Sequence, residues 1–282
     1  MINFQQVLIN ASNLLKEKNF KSPKLDTELL LAKTLDVCRE EILLNLNNKI
    51  NQSEIKKFKY YLNLRKQYKP IAHIINSKFF WKYKFFVNKD VLIPRPETEL
   101  IIEQTLNILP ESSKKNILEI GTGSGCIAIS LLKERPYCRV VAIDKSPKAI
   151  KVAKKNAEIH QVGKKINFLN IDVDKYLSSK YDIVVSNPPY IKNSELLSLD
   201  KDVKLNEPKI ALSGGFSGLE IFFKIINKCE RLLKKNGMLI LEIGHKQGNN
   251  LTKYLKSKGF NQIKIYKDLS GKNRCLICTK QY

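Results

Sequence analysis

Asn187-Pro188-Pro189-Tyr190 is the stretch whose residue types and order say most about chemistry. The Asn187 side chain carries a carbonyl acceptor and an amide donor. Two successive prolines stiffen the turn and remove backbone donors, so the Pro188 carbonyl stays available as a second acceptor. Two fixed acceptors suit a substrate NH2 group. Tyr190 adds a flat face against which an amide or a base can pack, and a phenol that can hydrogen-bond. Alone, the tetrapeptide also admits a minority reading as a rigid turn closing a core strand; a glycine loop upstream weighs against that.

The elements that must position these residues are legible around them. Tyr181-Asp182-Ile183-Val184-Val185-Ser186 predicts a buried parallel strand stopped by the prolines. The tetrapeptide then sits at a strand's carboxyl end, the edge of an open α/β sheet where ligands bind at the reversal of strand order. Upstream, residues 116–120 predict a strand, Gly121-Thr122-Gly123-Ser124-Gly125 a tight turn and residues 126–132 a helix; glycines let the backbone turn sharply and approach a ligand closely. About 20 residues on, Val140-Val141-Ala142-Ile143-Asp144 predicts a second strand ending in an acid placed to accept from ribose hydroxyls. Residues 166–172 predict a third strand, ending in Asp172. Residues 148–158 predict the intervening helix, 191–212 a polar, mobile flap, 218–235 a helix, Gly237 a turn, 238–243 a fifth strand and 251–258 a last helix. Residues 260–266 and 274–279 predict a terminal antiparallel pair. In doubly wound order, strands one and four are neighbours, so the glycine loop faces Asn187 across the crevice.

Ahead of this domain, residues 1–78 predict a small helical bundle. Its signals are Phe4, Val7, Leu8, Leu14 and Leu15 at helical spacing, a capped start at Ser22-Pro23, and a third helix opening at Asn51-Gln52-Ser53-Glu54; Lys69-Pro70 is expected to end the helices. Loosely alternating aromatics from Phe79 to Val91 predict a hairpin turning at Asn88-Lys89-Asp90. Pro94-Arg95-Pro96 holds an arginine on an extended segment before a helix that starts at Glu97 and stops at Pro110. Arg95 is open to two readings, a surface ion pair with a nearby glutamate or a substrate-side or domain-locking role.

The formal charge of +23 over 282 residues would ordinarily point to nucleic acid. Only seven of the 50 basic residues are arginine and no basic tail exists, so the charge reads as composition rather than a groove-reading patch. Six scattered cysteines make no disulfide framework, and Cys275-Leu276-Ile277-Cys278 lacks the second pair a metal site needs. His73, His160 and His245 have no ligand at metal spacing, so no metal is expected. No apolar run approaches the roughly 20 residues of a membrane span, and the first residues lack the regions of a signal peptide. The expected location is cytoplasmic, with no membrane contact.

Glu119, two positions before Gly121, gives the loop an acidic-x-Gly-x-Gly-x-Gly pattern that resembles S-adenosylmethionine-dependent methyltransferases. Over nearly its full length the chain is similar to the PrmC, or HemK, family of peptide chain release factor glutamine methyltransferases. The similarity rests on residues 70–74, on Val91-Leu92-Ile93-Pro94-Arg95-Pro96-Glu97-Thr98-Glu99, on residues 117–125, on residues 185–191, and on Glu207-Pro208 with Ala211-Leu212. It implies a Rossmann-like α/β domain over residues 97–282 with a mostly parallel seven-stranded sheet, joined by a hairpin linker at 79–96 to a helical domain at 1–78, whose role is open between structural packing and docking the release factor. It further implies that Glu119, Gly121, Thr122, Gly123, Ser124, Gly125, Asp144, Asp172 and Asn187 hold S-adenosylmethionine. Asn187, Pro188, Pro189 and Tyr190 would bind the substrate, with Asn187 and Pro188 catalytic. The implied reaction methylates the side-chain amide nitrogen of the Gly-Gly-Gln glutamine in class 1 release factors, by a monomer without stable nucleic-acid contact. The alternative is an adenine-specific nucleic-acid methyltransferase, which shares Asn-Pro-Pro-Tyr but needs base flipping and a target-recognition region; no large arginine-rich or aromatic-basic insertion serves it.

Overall fold

In the computed structural model, which describes residues 2–178 and 180–281, the amino-terminal signals become five helices. They are α1 (Phe4–Glu17), α2 (Pro23–Leu35), α3 (Arg39–Leu44), α4 (Gln52–Lys66) and α5 (Ile71–Ile75). At α4, Asn51 Oδ1 accepts from the Glu54 N–H and Glu54 Oε2 from the Asn51 N–H, both at 2.9 Å, a reciprocal cap for two orphan donors. Ser22, expected to cap α2, makes no such bond; Pro23 occupies the first turn, where a missing N–H costs nothing. Helix α5 follows Pro70 directly, against the expectation that the helices end there, because proline blocks a helix running through it and not one beginning after it.

Leu15, Leu30, Leu31, Ile42, Ile50 and Phe58 fill this bundle's core. A buried ion pair, Arg65 Nε to Asp26 Oδ2 at 2.7 Å, lies beside it, with the guanidinium 4.2 Å from the Phe20 ring centre. The bundle unit runs to Ser77 and takes in Asp200–Asn206.

The second unit comprises Lys78–Leu199 and the chain from Glu207 onward. Strands β1 (Ser77–Phe80) and β2 (Tyr83–Phe86) form the expected hairpin, but its turn is Trp81-Lys82 and not residues 88–90. Trp81 adopts φ +55, and two tertiary bonds offset that strain: its N–H reaches Glu99 Oε1 at 2.8 Å and its indole N–H reaches Glu134 Oε1 at 3.0 Å.

There follow α6 (Glu99–Ile108), β3 (Asn116–Ile120), α7 (Cys126–Glu134), β4 (Arg139–Asp144), α8 (Pro147–Ile159), β5 (Ile166–Asn170), β6 (Tyr181–Ser186) and β7 (Ile191–Lys192). Then come α9 (Lys201–Asn206), β8 (Ser213–Gly215), α10 (Glu220–Leu232), β9 (Leu233–Glu242), α11 (Gly248–Ser257), β10 (Phe260–Lys267) and β11 (Asn273–Lys280). The seven-stranded sheet has the order β10-β11-β9-β6-β3-β4-β5. Its members are parallel except β11, antiparallel to both β9 and β10.

Alternate residues of each strand face opposite layers. Ile117, Ile183 and Ile240 pack with Ile101, Ile102, Ile129 and Leu132 of α6 and α7, whereas Leu118, Val184 and Leu239 pack with Phe222, Ile226, Leu251 and Leu255 of α10 and α11. Cys275 and Cys278 fall in opposite layers, which removes the cysteine pair as a joint ligand set. Gly237, expected as a turn before the strand, lies within β9, where the pairing with β6 jumps from Tyr181↔Leu233 to Ile183↔Met238. Within the stretch expected as a mobile flap, β7 pairs in parallel with β8, 3-10 segments cover Asn193–Ser198 and Lys209–Ala211, and α9 lies between them in sequence. Among the described residues no helix is long and apolar enough to cross a membrane.

Candidate active site

The register of the sheet brings the expected residues to one edge. Ile120 pairs with both Ser186 and Ile143, and Asp144 with Asn170, so the segments after β3, β4, β5 and β6 leave the sheet side by side. Strand order reverses between β3 and β6, and a cavity of about 1170 Å³, including its solvent-open mouth, lies over that point. Glu119, Gly121, Thr122, Gly123, Ser124, Asp144, Asp172, Asn187, Pro188 and Pro189 all line it. Gly125 and Tyr190 do not.

The glycine loop is held from both ends. The Gly121 and Thr122 N–H groups donate to the Ile143 carbonyl at 2.8 and 3.1 Å, and the Gly123 N–H to Asp144 Oδ2 at 2.9 Å. Gly123 has φ +55 with open space where a Cβ would stand, so backbone conformation and not crowding demands glycine there. Gly125 serves packing: a Cβ would meet Ala153 Cβ at 3.2 Å, and the bare position lets α7 approach α8. Glu119 is 1 % exposed. Its Oε2 accepts from Thr122 Oγ1 at 2.6 Å and from the Ala128 N–H at 3.2 Å, whereas its Oε1 is buried without a partner. Burial pushes its carboxyl up to about 8, against the pull of those two donors and with a further push from Asp144. Asp144 also accepts from the Ser146 N–H at 2.9 Å, and burial raises its carboxyl above the ordinary value. Asp172 stands just beyond β5 and accepts from the Asp174 N–H at 3.0 Å.

The Asn-Pro-Pro-Tyr turn rests on side chains from distant parts of the chain. Asn187 Nδ2 donates to Thr98 Oγ1 at 3.0 Å, and Thr98 Oγ1 donates to Glu242 Oε2 at 2.5 Å. Tyr190, which does not line the cavity, gives its phenol to Glu242 Oε1 at 3.1 Å and accepts from Arg274 Nη1 at 3.2 Å. Gln247 Nε2 holds the Tyr190 carbonyl at 3.1 Å. Glu242 is 2 % exposed. Burial pushes its carboxyl up, Thr98, Arg274 and Tyr190 pull it back, and Glu97 adds to the push. No bond among the described residues occupies Asn187 Oδ1 or the Pro188 carbonyl.

Arg95 also lines the cavity. Its partner is neither nearby glutamate but the buried Glu207, at 2.6 Å, whose other oxygen accepts from the Ile93 N–H at 3.1 Å. A signal for Glu242 existed: an acid inside Leu239-Ile240-Leu241-Glu242-Ile243 has no business in a buried strand unless it is bonded. None existed for its partners, which lie 52 and 144 residues away.

The donor set fits S-adenosylmethionine. The cavity wall offers carboxylates at Asp144 and Asp172 for hydroxyl and amine donors, the unpartnered Glu119 oxygen, open space over Gly121 and Gly123, and apolar faces at Ile143, Ile171 and Val173. A doubly wound sheet with this loop defines the methyltransferase fold class. The family model described as methyltransferase small domain matches residues 98–203, and that described as PrmC N-terminal domain matches residues 6–75.

The solved structure of a methyltransferase from Pyrococcus furiosus shares the fold at a TM-score of 0.54 and 20% identity, covering 70% of this chain and 89% of that one. The release factor glutamine methyltransferase of Caulobacter vibrioides is 35% identical, covering 96% of this chain and 94% of its own. The bifunctional methyltransferase of Rickettsia typhi is 38% identical over 97% of this chain but only 57% of its own length, so the chain spans little more than half of that relative. The chain belongs to the release factor glutamine methyltransferase family.

Proposed function

We propose that this chain methylates the side-chain amide nitrogen of the glutamine in the Gly-Gly-Gln motif of class 1 peptide chain release factors. The observation that carries the reading is the pair of unoccupied acceptors, Asn187 Oδ1 and the Pro188 carbonyl, on a rigid turn at the cavity wall. S-adenosylmethionine, when bound, would supply a methyl group on a sulfonium, which leaves as a neutral thioether without an acid, and the extra proton of the methylated amide would pass to water.

An amide nitrogen is a poor nucleophile because its lone pair is delocalised into the carbonyl. Asn187 and Pro188 accept one N–H each, which fixes the nitrogen's orientation and builds electron density on it as the bond forms. Holding the nitrogen there converts an encounter into a positioned reaction, an effect that supplies several kcal/mol. Glu119, Asp144, Asp172 and the backbone of Gly121 to Ser124 are assigned to the cofactor, with the Thr122 side chain turned inward to brace Glu119. Gly125 and Tyr190 act from behind, by packing and by anchoring the turn. The helical unit, which the PrmC N-terminal model matches, is assigned to docking the release factor.

The experiment is methyl transfer from labelled S-adenosylmethionine to a purified class 1 release factor, beside a copy with the motif glutamine changed to alanine and beside unmethylated duplex DNA. Label on the factor that vanishes with the altered copy is the expected result. Label on DNA alone overturns the reading in favour of adenine methylation.

A further inference from the structure

The buried chain behind Asn187 has a direction. Arg274 has donors only, so Tyr190 oxygen accepts from it and the phenol proton goes to Glu242 Oε1. In its ionised form Glu242 accepts on both oxygens, so the single Thr98 hydroxyl proton is committed to Oε2. Thr98 Oγ1 can then only accept, which obliges Asn187 to present its NH2 to Thr98. The amide is thereby prevented from turning over, and the carbonyl end is left for the substrate. Both ends of the tetrapeptide hang on one carboxylate from β9.

We infer that Thr98 and Glu242 are positioning residues that fix which end of the Asn187 amide faces the cavity. This rests on the proposed role of Asn187 Oδ1 as an acceptor for the substrate NH2. A flipped amide would put a donor against a donor, leaving two buried N–H groups opposed. Glu242→Gln is the sharpest probe. With its amide oxygen kept toward the Tyr190 donor, its NH2 faces Thr98, forces Oγ1 to accept from it, releases the Thr98 proton toward Asn187, and so favours the flipped amide. Thr98→Val removes the hydroxyl at constant shape, whereas Thr98→Ser keeps it.

The test measures kcat and KM for release factor, S-adenosylmethionine affinity by equilibrium dialysis, and the unfolding midpoint, for Asn187→Ala, Thr98→Val, Thr98→Ser, Glu242→Gln and the double variant Asn187→Ala/Thr98→Val. Expected are losses in kcat of about 10- to 100-fold for Thr98→Val and Glu242→Gln, with Thr98→Ser within about threefold of the parent and cofactor affinity kept. Because Thr98 acts through Asn187, adding Thr98→Val to Asn187→Ala should cost nothing further, a non-additivity that a purely structural role does not produce.

Full activity in Thr98→Val and Glu242→Gln, or additive losses in the double variant, overturns the inference while Asn187→Ala remains inactive. An active Asn187→Ala overturns the underlying reading instead. If Thr98→Val fails to fold, Glu242→Gln combined with Asn187→Ala carries the same cycle.

Discussion

Two side chains carry the sharpest expectations at the scale of single residues. If Asn187 Oδ1 holds the substrate nitrogen mainly in the transition state, Asn187→Ala lowers kcat on the order of 100-fold. Equilibrium dialysis should still show S-adenosylmethionine uptake, since Asp144, Asp172 and the glycine loop are untouched. Glu119 has a pH signature. Its carboxyl, pushed up to about 8, keeps a proton in the folded chain that the unfolded chain releases near the ordinary carboxylate value. The stability this confers is fully present below the unfolded value and is lost as pH rises through about 8. Melting temperature should therefore fall between roughly pH 5 and pH 8, and Glu119→Gln should flatten that slope. It will not abolish it, because Asp144, Glu242 and Asp26 are shifted in the same direction.

Among the elements, the small β7–β8 pair packs directly against the backbone of the Asn-Pro-Pro-Tyr turn. Gly214 in β8 sits so close that an added Cβ would stand 2.7 Å from Tyr190 Cα and 2.9 Å from the Pro189 carbonyl. Both are backbone, so the turn must move. Gly214→Ala should lower kcat by about 10-fold or more, since displacements of an ångström in positioning groups are costly, and destabilise by about 1–3 kcal/mol through overpacking; steady-state kinetics beside urea unfolding separates the two. The hairpin turn shows the opposite balance. Trp81 tolerates a left-handed backbone because Glu99 and Glu134 bond its two N–H groups, tertiary contacts that outweigh the turn preference of Asn88-Lys89-Asp90.

At the scale of the whole molecule, each unit has its own stabilising device. In the helical unit Asp26→Ala strands a buried guanidinium, and a loss of about 3 kcal/mol is expected, at the low end for a broken buried pair because Asp202 and the Lys69 carbonyl still reach Arg65. Chemical denaturation followed by far-ultraviolet circular dichroism measures it. The other unit is stabilised by its ligand: S-adenosylmethionine at 100 times its Kd should add about 2.7 kcal/mol to apparent stability, and Glu119→Gln shows whether the buried carboxyl contributes to that gain.

What the chain's own order determined was everything encoded by neighbours in sequence. The glycine loop after β3, the acids at Asp144 and Asp172, the prolines that stop β6, and the terminal antiparallel pair are all patterns within one strand and its turn, and the apolar runs that flank them admit one sheet. Short α3 and α5 lack the length for a periodic signal, and Gly237 is ambiguous in sequence because a bulge inside a strand and a turn before one use the same residue. Only the tertiary structure could join Thr98 to Glu242 across 144 residues, Arg95 to Glu207 across 112, or carry Tyr190 off the cavity wall onto a buried carboxylate. The physical reason is that a buried charge accepts whichever donors the packing of distant elements delivers to it. Sequence shows that such a charge must be satisfied; the fold alone selects the groups that satisfy it, and with them the direction in which Asn187 faces.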